Sequence, residues 1–149
     1  METIREFTLH AVLGETLQVG GGPSGARTVA TVSGGWVKGD RINGHLVGPG
    51  ADWAVLGNDG YAQIDVRAQI RTDDGVDLFV HYNGSIELNE AAMSALLGDG
   101  ETNLGDNYWF THLRLESGAE QYQWVNRTMF VGHGRATTDG VEYQVYRLA

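Results

Sequence analysis

The chain has 149 residues with 10 basic and 19 acidic side chains, a formal charge of −9 that repels phosphate backbones and anionic lipid and argues against nucleic-acid or membrane-surface roles. Hydrophobic residues at 42% and charged ones at 19% place it among globular chains, long enough for one domain over residues 1–149 with a sizeable core. The absence of cysteine excludes a disulfide framework, a thiol nucleophile and a cysteine-zinc site.

The opening METIREFTLH has no signal core, and no apolar run approaches the roughly 20 residues of a spanning helix, so a cytoplasmic protein is expected. Period-2 alternation, the mark of antiparallel sheet, then dominates the chain. It predicts strands over 4–13, 26–33, 40–48, 52–56, 60–72, 76–88, 107–116, 121–135 and 141–148. Between the first two, GGGPSG at 20–25 fits a dinucleotide fingerprint in spelling only. That chemistry requires a helix to start there, and the following ARTVATVSGG is strand-like.

Asp-Gly pairs at 59–60, 74–75 and 139–140 each separate two strand-like runs and read as hairpin turns. One segment differs: LNEAAMSALLG predicts a helix of about two turns, with Asn89 as N-cap and Gly98 as stop. The polar stretch GDGETNLGDN that follows reads as a mobile loop with the makings of a lid. Many short strands with one small helix predict an all-β fold, a single antiparallel β-barrel, with a β-sandwich as the competing arrangement.

Charged residues interrupt the apolar strands near the first Asp-Gly turn. A two- or four-residue loop there places Asp52, Asp65 and Arg67 on one face, and an even loop at Asp74-Gly75 adds Tyr82 to it. An odd-length loop breaks this arrangement, and the competing reading of the shared face is a solvated surface with a cross-strand salt bridge. With even loops Gly84 leaves a gap beside Asp65, while Ile64, Val66 and Ile70 form an opposite apolar face. That second face then needs a cover, and a homo-oligomer is the expected one.

Further on, YQWVNRTMF alternates Tyr122, Trp124 and Asn126 on one side of a strand. Asn126 reads either as an oxyanion donor or as a tie to a neighbouring backbone group. The five histidines have no metal-ligand spacing, and neither metal nor cofactor is expected.

The run GADW…DGYAQIDVRAQIRTDDGVDLFVHYNG, followed by YQWVNRTMFVGHG…GVEYQVYRL, closely resembles domain-of-unknown-function family 3237. Asp52-Trp53, Asp65-x-Arg67, Thr72-x-Asp74-Gly75, Tyr122-x-Trp124-x-Asn126-Arg127 and Phe130-Val131 carry the resemblance. It implies a calycin-like antiparallel barrel, usually oligomeric, and implies no activity.

Together these readings predict a cofactor-independent acid–base enzyme, an isomerase, cyclase, hydratase or lyase. Its substrate is a small, mostly apolar carbonyl or aromatic compound held in a barrel pocket. Asp52 and Asp65 are the expected carboxylate pair, with Tyr82 as donor, Arg67 setting the field and Asn126 at the oxyanion. Trp53, Trp109, Trp124 and Gly84 are the expected substrate wall, and Asp65→Asn is expected to abolish activity. The alternative is a lipocalin-like carrier that binds a small hydrophobe without chemistry.

Overall fold

A computed structural model describes residues 1–149. Eight antiparallel strands close into a barrel in which every strand pairs with its chain neighbours and β1 pairs with β8. The strands are β1 (Thr3–Gly22), β2 (Gly25–Gly39), β3 (Gly44–Leu56), β4 (Tyr61–Thr72), β5 (Asp77–Glu87), β6 (Trp109–Glu116), β7 (Phe130–Thr137) and β8 (Gly140–Leu148). Helix α1 (Glu90–Leu96) follows β5, and a 3-10 helix (Glu120–Arg127) lies between β6 and β7. Closure leaves no sheet edge open.

The alternation read from the sequence sorts residues between core and outer wall. In β4, Ala62, Ile64, Val66, Ala68 and Ile70 are buried, while Gln63, Asp65, Arg67 and Gln69 face outward. In β6, Trp109, Thr111, Leu113 and Leu115 point in. The glycine-rich 20–25 segment is the tip of the β1–β2 hairpin, with Gly25 at a positive φ of 132°, so no helix start exists there.

Two expected elements change. The predicted strands 40–48 and 52–56 are one strand, β3, with a register shift between Val47 and Ala51. The predicted strand 121–135 is a 3-10 helix followed by β7.

The barrel has a plugged end and a capped end. At the plugged end the 3-10 helix buries Tyr122 and Val125, and Tyr122 Oη donates to Asp74 Oδ1 at 2.7 Å. There Glu6, nearly fully buried, accepts from both Arg41 and Arg147. At the other end α1 buries Ala92 and Ala95, and Asn89 Oδ1 accepts from Ala92 N at 2.9 Å, the N-cap expected from sequence.

The segment expected to be a mobile loop is pinned to the wall. Thr102 is buried and exchanges two hydrogen bonds with Ala136, through its own N–H and its hydroxyl. Asn107 Nδ2 donates to Glu87 O at 2.6 Å.

Candidate functional site

Loop length decides which side chains meet. Gly57 pairs with Tyr61, and Thr72 with Val76, leaving three residues in each hairpin loop. In both, glycine takes the left-handed third position: Gly60 and Gly75 have φ of 84°, while no residue other than glycine has positive φ. A two-residue type I′ loop would need positive φ at the aspartate as well, so the odd loop wins.

The register therefore pairs Asp52 with Val66, and Val66 with Tyr82. The expected common face is thus corrected. Asp52 and Tyr82 share the barrel interior with Val66 between them, and Asp65 and Arg67 lie on the outer wall.

Asp52 sits among inward-facing groups of the barrel's capped end, half-buried, with Ala54 along its own strand and Ala30 opposite. The β3–β4 ladder has no pair between Asp52–Val66 and Val55–Gln63. In that gap Asp65 N–H donates to Asp52 Oδ1 at 3.1 Å, a side-chain oxygen standing where a strand carbonyl would be. Asp52 Oδ2 has no hydrogen bond to another protein group. Burial pushes the Asp52 carboxyl up to about 6, against the lowering pull of the Asp65 N–H; the Asp65 charge adds a smaller upward push.

Across the interior stand two tyrosines. The rings of Tyr82 and Tyr143 meet edge to face at 5.3 Å, and both are almost wholly buried. Burial holds both phenols well above their ordinary range, and the Asp52 charge adds to this in each. Trp109, fully buried, donates its indole N–H to Tyr143 Oη at 3.1 Å. Gly134 makes room for this pair: a Cβ there would lie 2.5 Å from Trp109 Nε1 and 2.6 Å from Tyr143 Cε1.

Below them Thr111 is buried, and its Oγ1 has no hydrogen-bond partner. An orphaned buried hydroxyl costs about 1–3 kcal/mol unless a ligand or water meets it.

The remaining candidates lie apart from this cluster. Asp65 contacts His81 Nε2 at 2.8 Å on the outer wall, where Arg67 is exposed. Trp53, 41% exposed, lines an outer groove of about 410 Å³ with Arg27, Gln63, Asp65, Asn83 and His112. Gly84 pairs with Ile64, not Asp65, and lines the same outer groove. A Cβ there would lie 2.3 Å from Phe110 O and 2.6 Å from Thr111 Cγ2, so it permits close strand approach.

Trp124 is half-buried at the plugged end beneath the Arg41 guanidinium, 3.5 Å from its ring centroid. Asn126 belongs to the 3-10 helix and ties down Ser117, accepting from its N–H at 2.8 Å and donating to its carbonyl at 2.9 Å. This is the tie to a neighbouring backbone group that its sequence context offered as one of two readings. No three His, Asp or Glu side chains converge to hold a metal ion.

Tyr143 and Thr111 were not among the expected residues. The signal for Tyr143 was present: GVEYQVYRL alternates Val141, Tyr143 and Val145 on one face, which puts a polar-tipped ring inside. Nothing in WFTHLRLE marked Thr111 as unpaired.

Residues 2–148 match the family described as "Protein of unknown function (DUF3237)". The chain is similar to a solved conserved protein of unknown function from Rhodopseudomonas palustris, at 27% identity and TM-score 0.90 over 99% of this chain and 97% of that one. A beta-barrel like protein from Acinetobacter baumannii is 23% identical with TM-score 0.79, covering 99% of this chain and 94% of that one. A structure described as an enzyme from Penicillium herquei is 17% identical with TM-score 0.71, over the same shares. The last two likenesses show the fold alone.

Proposed function

The chain belongs to the DUF3237 family, whose description states no activity, and from the geometry inside its barrel we propose a proton-transfer enzyme acting on a small, mostly apolar carbonyl compound. The observation that carries this is Asp52. It is a carboxyl inside an apolar barrel, raised to about 6, with one oxygen held by a backbone N–H and the other unbonded. A base whose pKa lies near the working pH takes and returns protons efficiently. A solvated surface carboxylate lacks that poise.

Tyr82 and Tyr143 stay protonated across the working range and serve as donors, not bases. Isomerisation, cyclisation, hydration and elimination all remain chemically open to such a site. That a protein of similar fold from Penicillium herquei is described as an enzyme agrees with catalysis on this barrel, although one fold hosts many functions.

Exchange of a carbon-bound proton tests the base directly, whatever the full reaction. A panel of small aryl and cyclic ketones is incubated in D2O, and deuterium uptake next to the carbonyl is followed by NMR. Uptake rising with pH through about 6 and lost in Asp52→Asn is expected. Uptake unchanged in Asp52→Asn would remove the assignment. Binding of ketones with no uptake by any of them would favour the lipocalin-like carrier.

A further inference from the structure

Hydrogen-bond polarity inside the barrel fixes more than the position of a base. The Trp109 indole nitrogen is donor only, so its contact with Tyr143 Oη makes the phenol oxygen the acceptor. The phenol's own proton must then point elsewhere, and no protein group accepts it. Both rings are held in place, Trp109 and Tyr143 being 0% and 1% exposed and packed over Gly134. Asp52 pairs with Val66 and Val66 with Tyr82, whose ring meets that of Tyr143 edge to face at 5.3 Å, so a molecule at Asp52 stands near the phenol. A second polar group in this region is also without a partner, the Thr111 hydroxyl. Thr111 Oγ1 and Tyr143 Cδ1 crowd the same point above Gly132, at 2.5 and 3.3 Å from where a Cβ would stand.

We propose that Tyr143 donates its phenol proton in a hydrogen bond to an oxygen acceptor of the substrate, and that Trp109 is the positioning residue that imposes this polarity. The proposal rests on Asp52 as base and assigns the substrate class: a ketone or enone with a removable proton beside the carbonyl. In the step, Asp52 takes the α-proton and the C–H electron pair becomes a carbon–carbon double bond. The carbonyl π pair moves to oxygen, and Tyr143 holds the enolate oxygen without giving up its proton. Asp52 then returns its proton to carbon, so atoms and charge balance. A fixed donor aimed at the developing oxyanion strengthens as charge builds, which favours the transition state over the bound ketone.

The probe for the test is 4-nitrophenolate, whose ionised oxygen imitates the enolate and whose visible band shifts on accepting a hydrogen bond. Wild-type protein is expected to bind it with a band shift. Tyr143→Phe, which keeps the ring, is expected to bind it about tenfold or more weakly and without the shift. Trp109→Phe should give an intermediate loss. Should that variant fail to fold, the Trp109 indole N–H resonance of the wild type is followed instead, and it must move when the probe binds. Absence of wild-type binding, an unaltered band shift in Tyr143→Phe, or a Trp109 resonance indifferent to the probe would each overturn the proposal. Asp52→Asn should bind the probe as well or better, because a nearby negative charge is gone. Loss of deuterium uptake in Asp52→Asn with unaltered probe binding in Tyr143→Phe would sink the donor alone. The opposite pattern would sink the base alone.

Discussion

At the scale of single residues, Asp52 links stability to pH. Its carboxyl is raised to about 6 in the folded barrel, above the ordinary carboxylate value of the unfolded chain, so the folded state binds the extra proton between those values. Its contribution is complete below about pH 4 and is lost as pH rises through about 6. Asp52→Asn keeps the acceptor for the Asp65 N–H and removes the buried charge. It should be more stable than wild type by about 2 kcal/mol at neutral pH and no more stable near pH 4, read from urea melts at both. Asp65→Asn makes the complementary case. Asp65 lies on the outer wall against His81, and losing that contact should cost at most about 1 kcal/mol. Activity should survive, where the sequence reading expected its loss. Because the Asp65 charge helps raise Asp52, the pH profile of deuterium uptake should move to lower pH in this variant. Complete loss of uptake would return Asp65 to the reaction.

Among the elements, the two hairpin loops decide the site. Gly60 and Gly75 hold the left-handed position that closes a three-residue loop, and this odd count turns Asp65 outward while keeping Asp52 and Tyr82 inward. A methyl group at Gly75 meets nothing within 4 Å, so Gly75→Ala isolates the backbone cost of a positive φ. Thermal unfolding should show a loss of about 1 kcal/mol with activity intact. The 98–107 segment reads as mobile because polar and glycine residues fill it, yet Thr102 and Asn107 anchor it through hydrogen bonds to distant strands. Composition reports what a loop lacks in apolar content and is silent about remote partners. Helix α1 was legible for the opposite reason: its cap, Asn89 to Ala92, is a local contact between residues three apart.

Across the molecule as a unit, closure of the barrel assigns the apolar face of β4. Ile64, Val66 and Ile70, an apolar face that by itself calls for a covering subunit, fill the barrel's own interior. That reason for a partner subunit lapses. Closure also concentrates the strongest ion-pair demand at the plugged end, where Glu6 joins β1, the β2–β3 connection and β8 through Arg41 and Arg147. Glu6→Gln leaves two guanidinium groups short of their counter-charge and should destabilise the fold by about 3 kcal/mol, measured by denaturant titration. Unchanged stability would mean the network is replaced by water.

Residue order alone was enough for the all-β class, the antiparallel hairpins and the helix with its cap. Alternation, Asp-Gly pairs and caps act between neighbours a few residues apart, so their physics is written locally. Which face lies inside was settled only by the folded barrel, because strand pairing has period two and a single residue of loop length inverts every assignment beyond it. The same limit hid the Trp109–Tyr143 hydrogen bond, which joins residues 34 positions apart across a closed ring. It also turned Asn126 from a strand position into a 3-10 tie, since the backbone there is set by the Ser117 turn it holds and not by the alternation of its side chains.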